Sequence, residues 1–299
     1  MYIEQVRKPS NPFWKYILGI FILGIVVVLG NLPFEFAIIN EVGVASVTEL
    51  STAEMLRILS TNKTLFLLLF PFALLFGAIL LITKVFHKLS LRELITSRKK
   101  VDWKRIGFGF GSIIFMSAIM LLISYATNPE ELQWNYNPKD FAILFVISIL
   151  MVPLQTSAEE LFFRGYLMQG LGRIFSKRVF PFVITSVLFG LLHFANPEVD
   201  KLGEMILISY LATGFFLGAI TLLDEGLELA LGFHAGNNLF LSLFLTSDWT
   251  AFQTNSLFID VAEPKVEVYI IAPLVIYTLL FLVYARKYKW KNYMAQLFG

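Results

Sequence analysis

The chain reads as an all-α, polytopic membrane protein, a single integral domain over residues 1–299 with about eight transmembrane helices around a polar intramembrane cavity. Three observations predict this class. Only 15% of the 299 residues are charged while 57% are hydrophobic, whereas an ordinary soluble domain carries about 25% charge. The apolar residues gather in runs near ~20 residues, enough for a helix rising 1.5 Å per residue to cross ~30 Å of hydrocarbon. The remaining charges segregate between the runs, basic in one set of connections and acidic in the alternate set.

The first run, 13–32, follows Arg7 and Lys8 and contains Lys15. It is long for a signal-peptide core and no small-x-small site follows Leu32, so it is read as an uncleaved first span. Runs at 64–86 and 106–126 come next. The fourth, 141–172, would extend ~48 Å as one helix, and Pro153 removes a backbone donor in its middle. It is expected to break over residues 153–156, since irregular backbone at membrane depth is tolerated beside a polar cavity. Runs at 179–195, 205–223, 228–245 and 269–285 complete the set, and residues 52–60 suggest a short surface helix.

Basic clusters precede the first run and follow the second (Lys84 to Arg105), fourth (Arg173, Lys177, Arg178) and last (Arg286 to Lys291). The positive-inside bias then places both termini in the cytoplasm, provided 141–172 crosses once. Asp224, Glu225 and Glu228 dissent, falling on the predicted inner side with no basic partner nearby in sequence. The setting is an integral membrane, read as a bacterial plasma membrane. The bases sit at membrane boundaries, so no nucleic-acid partner is implied. Cysteine is absent, which excludes cysteine nucleophiles, disulfides and thiolate metal sites.

An ionisable residue inside a span is a functional-site hypothesis by default. Few exist here: Glu159, Glu160, Arg164, His193 and His234, with the amides Asn237 and Asn238, all in the second half of the chain. His87, among Lys84, Lys88 and Arg92, is read as interfacial and without a role. In EELFFR, Glu160 and Arg164 are four apart, about 40° on a helix, while Glu159 lies about 140° from Arg164. Arg164 therefore neutralises Glu160 in a structural pair, and Glu159 faces another partner. Phe189 and His193 repeat the spacing of four, as do His234 and Asn238, with Asn237 the weaker contender. Taken singly, either histidine reads as an interhelical hydrogen-bonding residue. Two of only three histidines lying within spans point to a shared site.

A carboxylate, two imidazoles and a carboxamide support two mechanisms. Glu159 with His193 can deprotonate water while His234 and Asn238 donate to an oxyanion. Alternatively, Glu159, His193 and His234 can hold zinc with an open position for water. There is no H-E-x-x-H pattern and no aspartate pair inside the spans, since Asp140 and Asp224 sit at run ends.

Together, EELFFR (Glu159 to Arg164), FGLLH (Phe189 to His193) and HAGNN (His234 to Asn238) resemble the EExxxR, FxxxH and HxxxN motifs of the CPBP family. That family, also called Abi, comprises CAAX prenyl proteases and bacteriocin-processing or immunity proteins. The resemblance covers about residues 141–246, the motif-bearing core. It implies an eight-helix intramembrane endopeptidase of the glutamate type with no cofactor, zinc being the minority alternative. Glu159 and His193 would activate water, His234 and Asn238 would form the oxyanion site, and Glu160 and Arg164 would support them. The implied partners are the lipid bilayer and a peptide or membrane-anchored protein substrate. The rival reading is a non-catalytic immunity or binding protein using the same cavity; a proton-relay transporter is weaker, because no internal repeat is present.

One mismatch follows from run boundaries. Glu159 and His193 lie ~21 Å above the inner boundary but His234 only ~9 Å. They can meet only if the connection 223–229 is sunk into the protein, where Asp224 and Glu225 would enter a water-filled cavity.

Overall fold

The computed structural model describes residues 2–8 and 11–299. Among the described residues the principal helices are α1 Trp14–Val42, α2 Thr61–Val85, α3 Trp103–Thr127, α4 Pro138–Glu160, α5 Val179–Leu191, α6 Leu207–Asp224, α7 Glu228–Phe244 and α8 Val266–Tyr288. Among the described residues, six helical segments are long and apolar enough to cross a membrane: α1, α2, α3, α4 with its continuation to Leu171, α6 with the turn before it, and α8. At 13 and 17 residues, α5 and α7 are shorter. The protein is thus an all-α, multi-pass membrane protein. Short helices at Thr52–Ile58 and Leu91–Ile95 open on capping boxes, Ser51 with Glu54 and Ser90 with Glu93.

The fourth run departs from expectation. It does not break near Pro153, which sits inside a continuous α4. Helices α2 and α7 pack along α4, and the Thr156 hydroxyl donates to the Val152 carbonyl at 3.1 Å, so the turn around the proline is held from outside and within. The irregularity comes later. Leu161–Leu167 winds as a π-helix before Met168–Leu171 returns to α geometry. Helix α5 also stops earlier than its apolar run, at Leu191, leaving His193 in the turn beyond it.

At one end, three short strands form a sheet in the order β1–β3–β2: β1 Leu132–Trp134, β2 Leu245–Thr246 and β3 Phe258–Asp260, with β3 antiparallel to β1 and parallel to β2. At the basic end, the segment 95–105 lies over the connection between α6 and α7. Leu227 N–H donates to the Ile95 carbonyl at 2.7 Å, and Thr96 bridges Gly226. The connection is accordingly buried, as the depth argument requires: Leu223, Asp224, Leu227, Glu228 and Leu229 are each at most 4% exposed.

The acids there do not enter an aqueous cavity, however. Arg98 pairs with both Asp224 and Glu228 at 3.0 Å, Arg105 also pairs with Asp224, and Arg178 reaches Glu225 at 3.3 Å. Trp290 Nε1 donates to Asp224 at 3.0 Å. The partners come from distant sequence, which is why neighbouring positions held none.

His87 also corrects its expectation. It is 2% exposed, with Nδ1 2.6 Å from Asn11 Oδ1 and Nε2 2.7 Å from the Tyr166 hydroxyl. It joins the end of α2 to the N-terminal segment and the π-helical stretch. Burial, reinforced by Lys15, lowers its pKa to about 4. Above about 6.5 the ring is neutral both folded and unfolded; between 6.5 and 4 only the unfolded chain takes up the proton. Stability in detergent is expected to fall as pH drops through that window, and less steeply in His87→Gln, as read from melting temperatures across pH.

Helices α3 and α7 pack closely because glycines line their contact. A Cβ at Gly232 would lie 2.0 Å from the Ile106 carbonyl oxygen and one at Gly236 2.8 Å from that of Phe110, whereas one at Gly107 meets nothing within 4 Å. Gly232→Ala is expected to cost about 1–3 kcal/mol by forcing the helices apart, and Gly107→Ala to be neutral or slightly stabilising. Parallel denaturation curves check this, and equal curves for the two variants would refute the packing argument.

Candidate active site

The site forms where α4, α5, α6 and α7 approach one another. Arg164 leaves the π-helical stretch fully buried. Its Nη1 donates to Glu160 Oε1 at 2.8 Å, its Nη2 to the Gly214 carbonyl on α6 at 3.1 Å, and its guanidinium lies 4.3 Å over the Phe189 ring of α5. Glu160, likewise 0% exposed, accepts a second bond on the same oxygen, from His234 Nδ1 at 2.8 Å. The spacing argument therefore placed Glu160 on Arg164 but missed that it also seats His234.

Glu159 turns the other way and keeps 14% of its side chain exposed. Its Oε1 accepts from Gln155 Nε2 at 2.6 Å, and its Oε2 stands 3.6 Å from His234 Nε2. Gln155 Oε1 in turn accepts from Asn238 Nδ2 at 3.2 Å, and Asn237 donates to Asn238 Oδ1 at 3.1 Å. Gln155 was not singled out in the sequence. Its signal was an amide within an apolar run, four residues before Glu159.

His193 shares no hydrogen bond with these groups. Its Nδ1 lies 2.8 Å from the Phe189 carbonyl, an oxygen of the last turn of α5, so the side chain caps the helix it follows. The ring stacks on Tyr210 of α6, centroids 4.3 Å apart and planes 20° from parallel. Glu159 and His234 are among the charged or titratable groups acting on it. Tyr210 was also unremarked; an aromatic in an apolar span carries no distinguishing signal.

The partners fix the ring protons. A backbone carbonyl only accepts, so Nδ1 of His193 carries hydrogen and the neutral ring presents a lone pair at Nε2. A carboxylate also only accepts, so Nδ1 of His234 carries hydrogen. His234 then donates at Nε2 only as the doubly protonated ring. Among the described residues no three His, Asp, Glu or Cys side chains converge as a metal-ligand set.

Residues 138–240, about a third of the chain and containing all of these side chains, match the family model described as type II CAAX prenyl endopeptidase Rce1-like. The uncharacterized protein YyaK of Bacillus subtilis (strain 168) is 33% identical over 243 residues, 79% of this chain and 79% of that protein. The chain belongs to the Rce1-like CPBP family. No solved structure matches it. At family level this makes it a CAAX-protease-like membrane peptidase, and the three polar motifs fall inside the matched Rce1-like segment.

The two glutamates differ in what their loss should do. Arg164→Ala would leave Glu160 buried without its cation and is expected to cost about 3 kcal/mol or more. Glu159→Gln replaces a half-buried carboxylate held by one amide and is expected to leave the melting temperature within a few degrees of wild type. A stable Arg164→Ala protein would overturn this division.

Proposed function

We propose that this protein is an intramembrane endopeptidase that hydrolyses a peptide bond in a membrane-associated peptide or protein, with Glu159 and His193 activating the water and no bound metal taking part. The observation that carries the reading is the partly exposed Glu159 carboxylate, oriented by Gln155 at 2.6 Å and 3.6 Å from His234 Nε2, whose charge acts on a His193 ring with its Nδ1 committed to a carbonyl. Water bound between Glu159 Oε2 and His193 Nε2 gives up its proton as its oxygen attacks the scissile carbonyl carbon. The electron pair moves onto the carbonyl oxygen, where Asn238 Nδ2 and the doubly protonated His234 donate to it. Collapse of the tetrahedral species breaks the C–N bond, and the proton held at the Glu159–His193 pair passes to the departing amine. Glu160 and Arg164 support His234 and touch no reacting atom.

The burial of the second carboxylate favours this assignment, because Glu160 is shielded from water while Glu159 is not. The enzyme sits, on this reading, in a bacterial plasma membrane with both termini cytoplasmic. The paired bases gathered at one end of the helices and the Bacillus relative support that placement.

Purified protein in lipid nanodiscs, offered a library of quenched fluorescent peptides, tests the proposal. Glu159→Gln and His193→Ala are expected to lose about 10²–10⁴-fold in turnover, Asn238→Ala about 10²–10³-fold, and a strong chelator to change nothing. Absence of wild-type turnover on every peptide, with bacteriocin protection retained by both Glu159→Gln and His193→Ala cells, would replace the enzyme with a binding protein.

A further inference from the structure

A second polar cavity lies away from the motifs, where α2 emerges at the basic end. Leu80, Thr83, Lys84, Lys88, Ser90 and Leu91 line a space of about 570 Å³. We propose that this cavity is a binding site for an anionic phospholipid, its phosphate between Lys84 and Lys88 and one acyl chain lying along Leu80.

Charge accounting separates these two lysines from several of their neighbours. Lys8 is paired with Glu93 at 2.6 Å, Lys15 donates to the Phe86 carbonyl at 2.9 Å, and Arg98, Arg105 and Arg178 each hold buried or half-buried acids. Lys84 and Lys88 have no ion-pair partner among the described residues, yet they face one cavity. Glu93, the acid nearest in sequence, is consumed by Lys8 and by its capping box with Ser90. Thr83 supplies an independent observation. It is 2% exposed, lines the same cavity, and its hydroxyl has no hydrogen-bond partner among the described residues.

The backbone at Lys88 points the same way. The chain leaves α2 through a turn in which Leu89 N–H donates to the Thr83 carbonyl at 3.1 Å, and Lys88 takes a left-handed conformation with φ of 53°. That helix-terminating position favours glycine. A lysine is placed there against backbone preference, and what it adds is a cation beside Lys84. The hydrocarbon boundary decides between a lipid and a free anion. Leu80 lies one turn, ~6 Å, deeper than Lys84, and the adjoining Leu81 is 63% exposed to the apolar surroundings of the helix. A free phosphate would use none of that apolar wall.

Native mass spectrometry of the full chain released from detergent, titrated with phosphatidylglycerol or phosphatidylcholine, tests the site. Wild type is expected to retain one phosphatidylglycerol in preference to phosphatidylcholine. The double variant Lys84→Gln, Lys88→Gly should bind it about 30-fold more weakly, each lysine contributing the usual gain of a cation near an anionic surface. Lys139→Gln, at the other end of the protein, should bind like wild type. Glycine suits the left-handed turn, so the double variant is expected to melt no lower than wild type, which separates lost binding from lost folding. Equal retention of both lipids by wild type, or unchanged phosphatidylglycerol binding in the double variant, overturns the proposal. Displacement of the lipid by millimolar inorganic phosphate would also overturn it and assign the cavity to a free anion.

Discussion

The second half of the structure is organised around a single carboxylate oxygen. Glu160 Oε1 accepts from Arg164 on its own helix and from His234 on α7, while Arg164 also binds the Gly214 carbonyl on α6 and covers the Phe189 ring on α5. One fully buried ion pair thereby fixes four helices relative to one another. A buried pair of this kind adds little net stability over a hydrophobic substitute, but removing one partner is severe because the other remains charged and dry. Its contribution is registration, and registration is what sets His234 Nε2 3.6 Å from Glu159.

The π-helical stretch belongs to the same constraint. Leu161–Leu167 carries Arg164 and Tyr166, and such widened turns are frequent at functional sites. Tyr166 anchors its outer side to His87, and Arg164 anchors its inner side. The irregular backbone is thus held by polar contacts on both flanks, which is the condition under which a membrane helix tolerates it.

Much of this was legible in the sequence, and the legible parts share a cause. Hydrophobic runs report helices because the bilayer demands them, and the spacing of four in EELFFR reports one helical face because the period is fixed. Both signals are local. Pro153 misled because a proline perturbs a helix only as far as its neighbours permit, and those neighbours lie on α2 and α7. Asp224 and Glu228 looked unpartnered because Arg98 is more than a hundred residues away in sequence. Gln155 and Tyr210 were passed over because an amide or a phenol in an apolar run is cheap enough to need no functional reason. His193 was placed on a helix that had already ended, since apolar composition continues past Leu191 while the helix does not.

Helix α7 draws these strands together. It carries His234, Asn237 and Asn238, is only 17 residues long, and is too polar to face lipid. It is enclosed instead, packed against α3 through glycines and against α4 across the polar residues. Its start is sunk beneath the 95–105 segment, whose arginines neutralise Asp224 and Glu228. The bases gathered at this end are therefore also the groups that let α7 begin inside the protein. If α7 began at the membrane surface, the six residues from Glu228 to His234 would lift the imidazole only ~9 Å, short of the depth at which Glu159 lies. The clamp at the basic end and the carboxylate at the centre are two parts of one solution: the first sets the depth of α7, and the second sets its rotation.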